Sequence, residues 1–273
     1  MVPGAQAFWI RLNDLLGRGY QRHFAGWGMT TTAFPPWYQQ GDRGDRDLIA
    51  EKFFTANQQL VSKVEDGTFC LSALHNIQDK IAFLQELMFR HYYVFWSARY
   101  AAAATRCSVK NIVECGVCDG MSVYFAMKAL RDGAPFKAFL YDAFEGMKRE
   151  YLLESEKATA GRYSNLTIDI PKSNLAGFSE YTTFCQGFIP ESFSRHVNPA
   201  DLVWLHIDLN SSLPTTAALE YFFDRIERGG IVLFDDYASP EFFDTKLAVD
   251  RFLTDKRGVL MPLPTGQALY FKL

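Results

Sequence analysis

Residues Asn111 to Gly120, NIVECGVCDG, decide the fold. NIVEC reads as a short apolar strand carrying one acidic residue, and the glycines after it read as a turn that opens a helix. The spacing is Glu114-x-Gly116-x-x-x-Gly120. Glycine lets the backbone approach a ligand closely, and the free N–H groups at a helix start favour a negative group. A second apolar run, AFLYD, ends in Asp142. A glycine turn after one strand and a carboxylate at the end of the next are the minimum needed to hold a nucleoside-like ligand at the carboxyl edge of a parallel sheet. The pattern is not G-x-G-x-x-G, which disfavours a standard NAD or FAD site.

From residue 109 onward, apolar runs of four to six residues alternate with helical segments, the signature of βαβ units. Strands are expected near 110–115, 137–142, 181–186, 202–208 and 230–235, with two more at 258–263 and 267–272. A helix starting near Pro214 is expected to end at Gly229-Gly230, with Leu219, Phe222, Phe223 and Ile226 on one face. The expected architecture is α/β: a Rossmann-like, doubly wound, seven-stranded sheet with an antiparallel C-terminal edge hairpin. The stretch 145–180, between the second and third strands, is too long for a plain connection and suits a substrate wall or lid.

Two regions are expected. Residues 109–273 form the ligand-binding sheet domain. Residues 1–108 form an N-terminal arm and a helical cap or dimerisation region. The arm is aromatic (Phe8, Trp9, Trp27, Phe34, Trp37, Tyr38), with turn material at Pro35-Pro36. From about Asp47 to Ala104 the pattern is helical, and Ile77, Ile81, Leu84 and Met88 recur on one helical face as core packing. The alanine run at 101–104 suits a helix end pressed closely on a neighbour.

Bulk composition narrows the function. With 48% hydrophobic residues the 273-residue chain has material for a sizeable core. A net charge of −3 and the lack of a basic block argue against a nucleic-acid partner. No apolar run approaches the roughly 20 residues of a membrane span, and the first residues do not read as a signal peptide. Five cysteines in no framework spacing suggest reduced thiols and a cytoplasmic setting. Cys115 and Cys118 form a C-x-x-C, but no second pair completes a zinc site.

Further carboxylates follow downstream. Asp208 ends LVWLHID, and Asp235-Asp236 end IVLFDD. At the ends of adjacent parallel strands, the three repel one another unless a cation offsets them. Hard oxygen ligands suit Mg²⁺ or Ca²⁺ better than zinc.

The runs VECGVCDGMSVYFAMKAL, LYDAFEGM and LHIDLNSSLPTTAALEYFFDRIERGGIVLFDDYA resemble the class I S-adenosylmethionine-dependent methyltransferases. Among these they resemble the macrocin O-methyltransferase family, Mg²⁺-dependent enzymes acting on sugar hydroxyls. The resemblance spans roughly residues 109–255. It implies that Glu114, Gly116 and Gly120, with Met121 and Ser122, surround the methionine part of S-adenosyl-L-methionine. It implies that Asp142, Ala143 and Phe144 meet the ribose, and that Gln186, Gly187 and Phe188 lie near the adenine. Asp208, Asp235 and Asp236 are implied as metal ligands and catalytic residues, Asp208 also bordering the cofactor. One departure stands out: where the family has a second acidic residue two positions after the first metal aspartate, this chain has Asn210.

The implied reaction moves a methyl group to a hydroxyl of a small-molecule acceptor, a sugar or glycosylated natural product, with Mg²⁺ activating the acceptor oxygen. The enzyme is expected to be a homo-oligomer. Two other readings stay open: a catechol-type enzyme on a phenolic acceptor, and a non-catalytic cofactor-binding partner subunit. Five histidines (His23, His75, His91, His196, His206) supply candidate bases, none singled out. His206 has the strand parity of Asp208 but lies one layer deeper, which suits a structural hydrogen bond.

Overall fold

The computed structural model describes residues 49–273. The aromatic arm and His23 lie outside the described residues. Three helices come first: α1 (Ile49–Glu65), α2 (Ile77–Glu86) and α3 (Met88–Ala104). Then follow β1 (Lys110–Cys115), α4 (Met121–Leu130), β2 (Phe136–Asp142), the short α5 (Asp169–Asn174), β3 (Thr182–Gln186) and β4 (Leu202–Ile207). The chain ends with α6 (Ser212–Phe222), β5 (Ile226–Phe234), α7 (Phe243–Leu253), β6 (Gly258–Pro262) and β7 (Ala268–Lys272).

The seven strands form one sheet in the order β3-β2-β1-β4-β5-β7-β6. The first five are parallel, and β7 joins β5 antiparallel with β6 beyond it. Strand order reverses between β1 and β4, so a crevice opens at their carboxyl ends, where open α/β sheets bind ligands.

The central strands read as unbroken apolar runs because both faces are covered. Successive side chains enter opposite cores. Ile112, Trp204, Ile231 and Leu233 pack with Phe53 of α1, Phe95 of α3 and Phe125 of α4. Val113, Leu205 and Val232 pack with Phe222 of α6 and Val249 of α7. Trp204 is fully buried and donates its indole N–H to Ser97 Oγ at 2.9 Å, joining β4 to α3. The first three helices therefore share one core with the sheet.

Two local expectations are corrected. The stripe Ile77, Ile81, Leu84, Met88 does not lie on one helix. Asn76 caps α2 by accepting from the Asp79 N–H at 2.8 Å, the chain breaks at Leu87, and Met88 begins α3. Of the four, Leu84 is buried and Ile77 is exposed. Nor do Gly229-Gly230 end a helix: α6 stops at Phe222, a single turn spans Phe223–Arg225, and Ile226 opens β5. The glycines sit inside β5, where the register jumps from Leu202↔Ile226 to Trp204↔Ile231. A Cβ on Gly229 would lie 2.9 Å from the Ala104 carbonyl oxygen, so the glycine admits the alanine end of α3.

Candidate active site

The crevice holds a cavity of about 440 Å³, a size suited to a small organic ligand. Its floor is the turn after β1. Gly116 has φ +88° and its N–H donates to the Tyr141 carbonyl at 2.8 Å. A Cβ there would stand 1.8 Å from the Asp208 carbonyl oxygen, so glycine is required where the ends of β1 and β4 meet.

Asp142 pins this turn. Its Oδ2 accepts from the N–H groups of Val117 and Cys118 at 2.7 and 2.9 Å, and its Oδ1 accepts from Phe144 N–H at 2.7 Å. The carboxylate also borders the cavity. Burial pushes its pKa up, against those backbone donors.

Not every residue of the expected cofactor set faces the cavity. Gly116, Met121, Ser122, Asp142, Ala143, Phe188 and Asp208 line it. Phe144 is buried against Phe184, with ring centroids 6.0 Å apart. Gly187 bonds backward to the Asp142 carbonyl at 2.9 Å. Gly120 caps α4 with φ +84°, and Gln186 closes β3. Glu114 is 1% exposed and turns into the sheet, where its Oε1 lies 2.7 Å from His206 Nδ1. Phe188 stacks on Tyr151 at 4.5 Å, with the Lys148 ammonium 4.3 Å from its ring centre.

The connection between β2 and β3 forms a wall: Met147, Lys148, Tyr151, Leu152, Arg162 and Tyr163 border the cavity. It is strapped at three points. Arg162 pairs with Glu241, Tyr163 Oη donates to Asn210 Oδ1 at 2.6 Å, and the Glu156 carboxylate accepts from Ser212 N–H and Ser211 Oγ, both at 2.8 Å. The last places a negative charge at the start of α6, where the helix dipole favours it.

Asp208, Asp235 and Asp236 meet at the ends of β4 and β5, each offering an oxygen within 4.8 Å of the others. Three all-oxygen donors that close fit a hard divalent cation. Protein groups also engage them. Asn210 Nδ2 donates to Asp208 Oδ1 at 3.2 Å and to Asp236 Oδ2. Gln267, from the turn between β6 and β7, donates to Asp235 Oδ1 at 2.7 Å, and Arg90 of α3 pairs with Asp235 Oδ2.

Electrostatics follow from these contacts. Burial and the two neighbouring carboxylates push Asp208 well above the usual carboxylate range. Burial and Asp235 push Asp236 up to about 6. Burial would raise Asp235 as well, but Arg90 and His206 hold it far below the ordinary value. Burial alone would lower His206, yet its carboxylate partners Asp235 and Glu114 outweigh that and push it up to about 10. His91 also borders the cavity, stacked 4.7 Å from Phe125, and burial pushes it down to about 3, so it is neutral.

Sequence reasoning named His91 only as one of five candidate bases and missed Arg90, Tyr163 and Gln267. Arg90 and His91 leave a visible trace, two polar residues inside the apolar run MFRHYYVFW. Tyr163 and Gln267 leave none, since they reach the site from distant loops.

A glycine turn pinned by a strand-end carboxylate thus stands beside a second cluster of strand-end carboxylates, all bordering one cavity. Residues 113–237 match a family described as a methyltransferase domain. The fold agrees with solved structures of this class. The O-methyltransferase NovP superposes with a TM-score of 0.58 at 18% identity, covering 68% of this chain and 80% of NovP. CalS11, a calicheamicin methyltransferase, superposes with a TM-score of 0.57 at 15% identity, covering 89% of this chain and 99% of CalS11. Comparison with curated protein sequences finds no match. Residues 113–237 are thus a methyltransferase domain, and the chain resembles the macrocin-type S-adenosylmethionine-dependent O-methyltransferases. Among the described residues, no helix is long and apolar enough to cross a membrane.

Proposed function

We propose that this enzyme methylates a hydroxyl of a small-molecule acceptor, a sugar or glycosylated natural product, with Mg²⁺ at the cluster of Asp208, Asp235 and Asp236. The observation that carries this reading is the shared cavity: the strand-end carboxylates and the Asp142-pinned glycine turn border one space. The structural likeness to NovP, an O-methyltransferase, and to CalS11, a calicheamicin methyltransferase, supports the same reading.

When bound, S-adenosylmethionine supplies an electrophilic methyl group, and a divalent cation lowers the pKa of an acceptor hydroxyl. The chain's own residues do the rest. Asp142 and the turn from Gly116 hold the nucleoside. Asp208 meets the glycine turn through its carbonyl and the cluster through its carboxylate, and so would hold the acceptor oxygen in line with the bound cofactor, which converts binding into rate. Tyr163, Leu209, Asn210 and Phe242 enclose the acceptor side. The wall from 145 to 166 excludes water from the reacting atoms.

The test begins with calorimetric titration of S-adenosylhomocysteine in the presence of Mg²⁺. One-to-one binding is expected, followed by methyl transfer in a panel of sugar and phenolic acceptors, lost on chelation. Absence of cofactor binding overturns the reading. Transfer to phenols alone replaces the sugar acceptor with a catechol-type one, and cofactor binding without turnover or metal affinity marks a partner subunit.

A further inference from the structure

The three clustered carboxylates are not equivalent. Asp235 is supplied on both oxygens by the protein: Oδ2 pairs with Arg90, while Oδ1 accepts from Gln267 at 2.7 Å and lies 3.7 Å from His206 Nε2. Arg90 is held just as firmly. The nitrogen that meets the carboxylate also donates to the Asp235 carbonyl at 2.9 Å, and the other terminal nitrogen donates to the Thr265 carbonyl at 3.1 Å. Asp208 and Asp236 instead share the neutral amide of Asn210, and the Arg90 nitrogen is 3.9 Å from Asp236 Oδ1.

Formal charge divides the same way. Arg90 cancels Asp235 in a direct pair, and two negative charges remain on Asp208 and Asp236, which one divalent ion neutralises. A cation drawn onto Asp235 Oδ2 would have to approach a fixed guanidinium, and like charges at that range repel strongly in a partly buried site.

We propose that Asp235 is a positioning residue rather than a direct metal ligand: Arg90, carried by the N-terminal helix α3, commits it to the cavity wall, and a divalent cation binds between Asp208 and Asp236. This rests on the reading that the cluster takes a divalent cation and revises only how the three carboxylates share it.

The test is calorimetric titration of Mg²⁺ into metal-free full-length protein, with the unfolding temperature of every variant recorded. Outer-shell partners typically cost about 10–100-fold in metal affinity when mutated, and Asp208→Asn, as loss of a direct ligand, is expected to weaken binding beyond that range. Asp235→Leu leaves Arg90 unbalanced and is expected to weaken binding roughly tenfold. Arg90→Met leaves an extra negative charge and is expected to tighten it. The double variant Arg90→Met/Asp235→Leu restores the charge balance without any oxygen at position 235, and its affinity is expected within about threefold of wild type, the residual of a balanced pair. A double variant as weak as Asp208→Asn makes Asp235 a direct ligand and overturns the proposal. If that pair does not fold, Arg90→Ala/Asp235→Ala carries the same comparison. No Mg²⁺ binding by the wild type overturns the metal reading itself, and this assignment with it.

Discussion

His206 Nδ1 stands 2.7 Å from Glu114 Oε1, on neighbouring strands β4 and β1, with neither side chain more than 1% exposed. This pair lies beneath the cavity and links the glycine-turn strand to the carboxylate cluster, because His206 Nε2 points toward Asp235 at 3.7 Å. Its first consequence is for stability. Glu114→Ala strips a buried imidazolium of its partner, which typically costs about 3–5 kcal/mol. Glu114→Gln, which keeps a hydrogen-bonding oxygen, is expected to cost less. Chemical denaturation of both variants checks the order.

The same pair sets a pH dependence. The folded-state pKa of His206, about 10, lies above the ordinary value of 6.5. Its stabilisation is therefore complete below 6.5 and is lost as pH rises toward 10. The stability advantage of wild type over His206→Gln is expected to shrink across that window in denaturation at stepped pH. A constant difference would mean that His206 is neutral in the folded protein.

Asp236 predicts how cation affinity responds to pH. Burial and the Asp235 charge hold its folded pKa at about 6, so below that value a divalent cation must displace a proton. Mg²⁺ affinity is expected to rise as pH passes upward through 6, and to go on rising until Asp208, held well above the usual range by burial and its carboxylate neighbours, has also ionised. Calorimetry in buffers on either side of that value measures this, and proton release should appear as buffer-dependent heat.

Gly116→Ala tests the junction of β1 and β4. The added carbon would sit 1.8 Å from the Asp208 carbonyl oxygen, at a backbone φ of +88° that side chains rarely adopt. Backbone cannot yield as a flexible side chain does. Loss of S-adenosylhomocysteine binding and a marked drop in unfolding temperature are expected, whereas Gly177→Ala, with open space around its Cβ and no positive φ, should bind normally.

Tyr163→Phe tests the wall. It removes the phenol that donates to Asn210 Oδ1 at 2.6 Å and keeps the ring. A hydrogen bond of this kind is worth about 1 kcal/mol, or roughly fivefold in an equilibrium. The acceptor KM is expected to rise by that factor while cofactor affinity stays unchanged, a split that steady-state kinetics and calorimetry resolve together.

Much of the fold was legible because it rests on local periodicity. The alternation of apolar runs and helices from residue 109 located the seven strands, and the run AFLYD ended where β2 ends, at Asp142. Where the reading failed, contacts distant in sequence decided. Gly229-Gly230 resembled a helix stop and proved to be a strand accommodating Ala104. The stripe from Ile77 to Met88 had helical spacing, yet the chain breaks at Leu87.

The sequence by itself determined the α/β class, the glycine turn, and which strand ends carry Asp142, Asp208, Asp235 and Asp236, because residue type and spacing along one strand are local properties. Only the tertiary structure decided what each of those groups faces. Parallel register set Glu114 against His206 and turned it away from the cavity. Docking of α3 brought Arg90 to Asp235, 145 residues away in the chain, and a loop crossing brought Tyr163 to Asn210. Such pairings arise from packing whole elements together, and no short stretch of sequence encodes them.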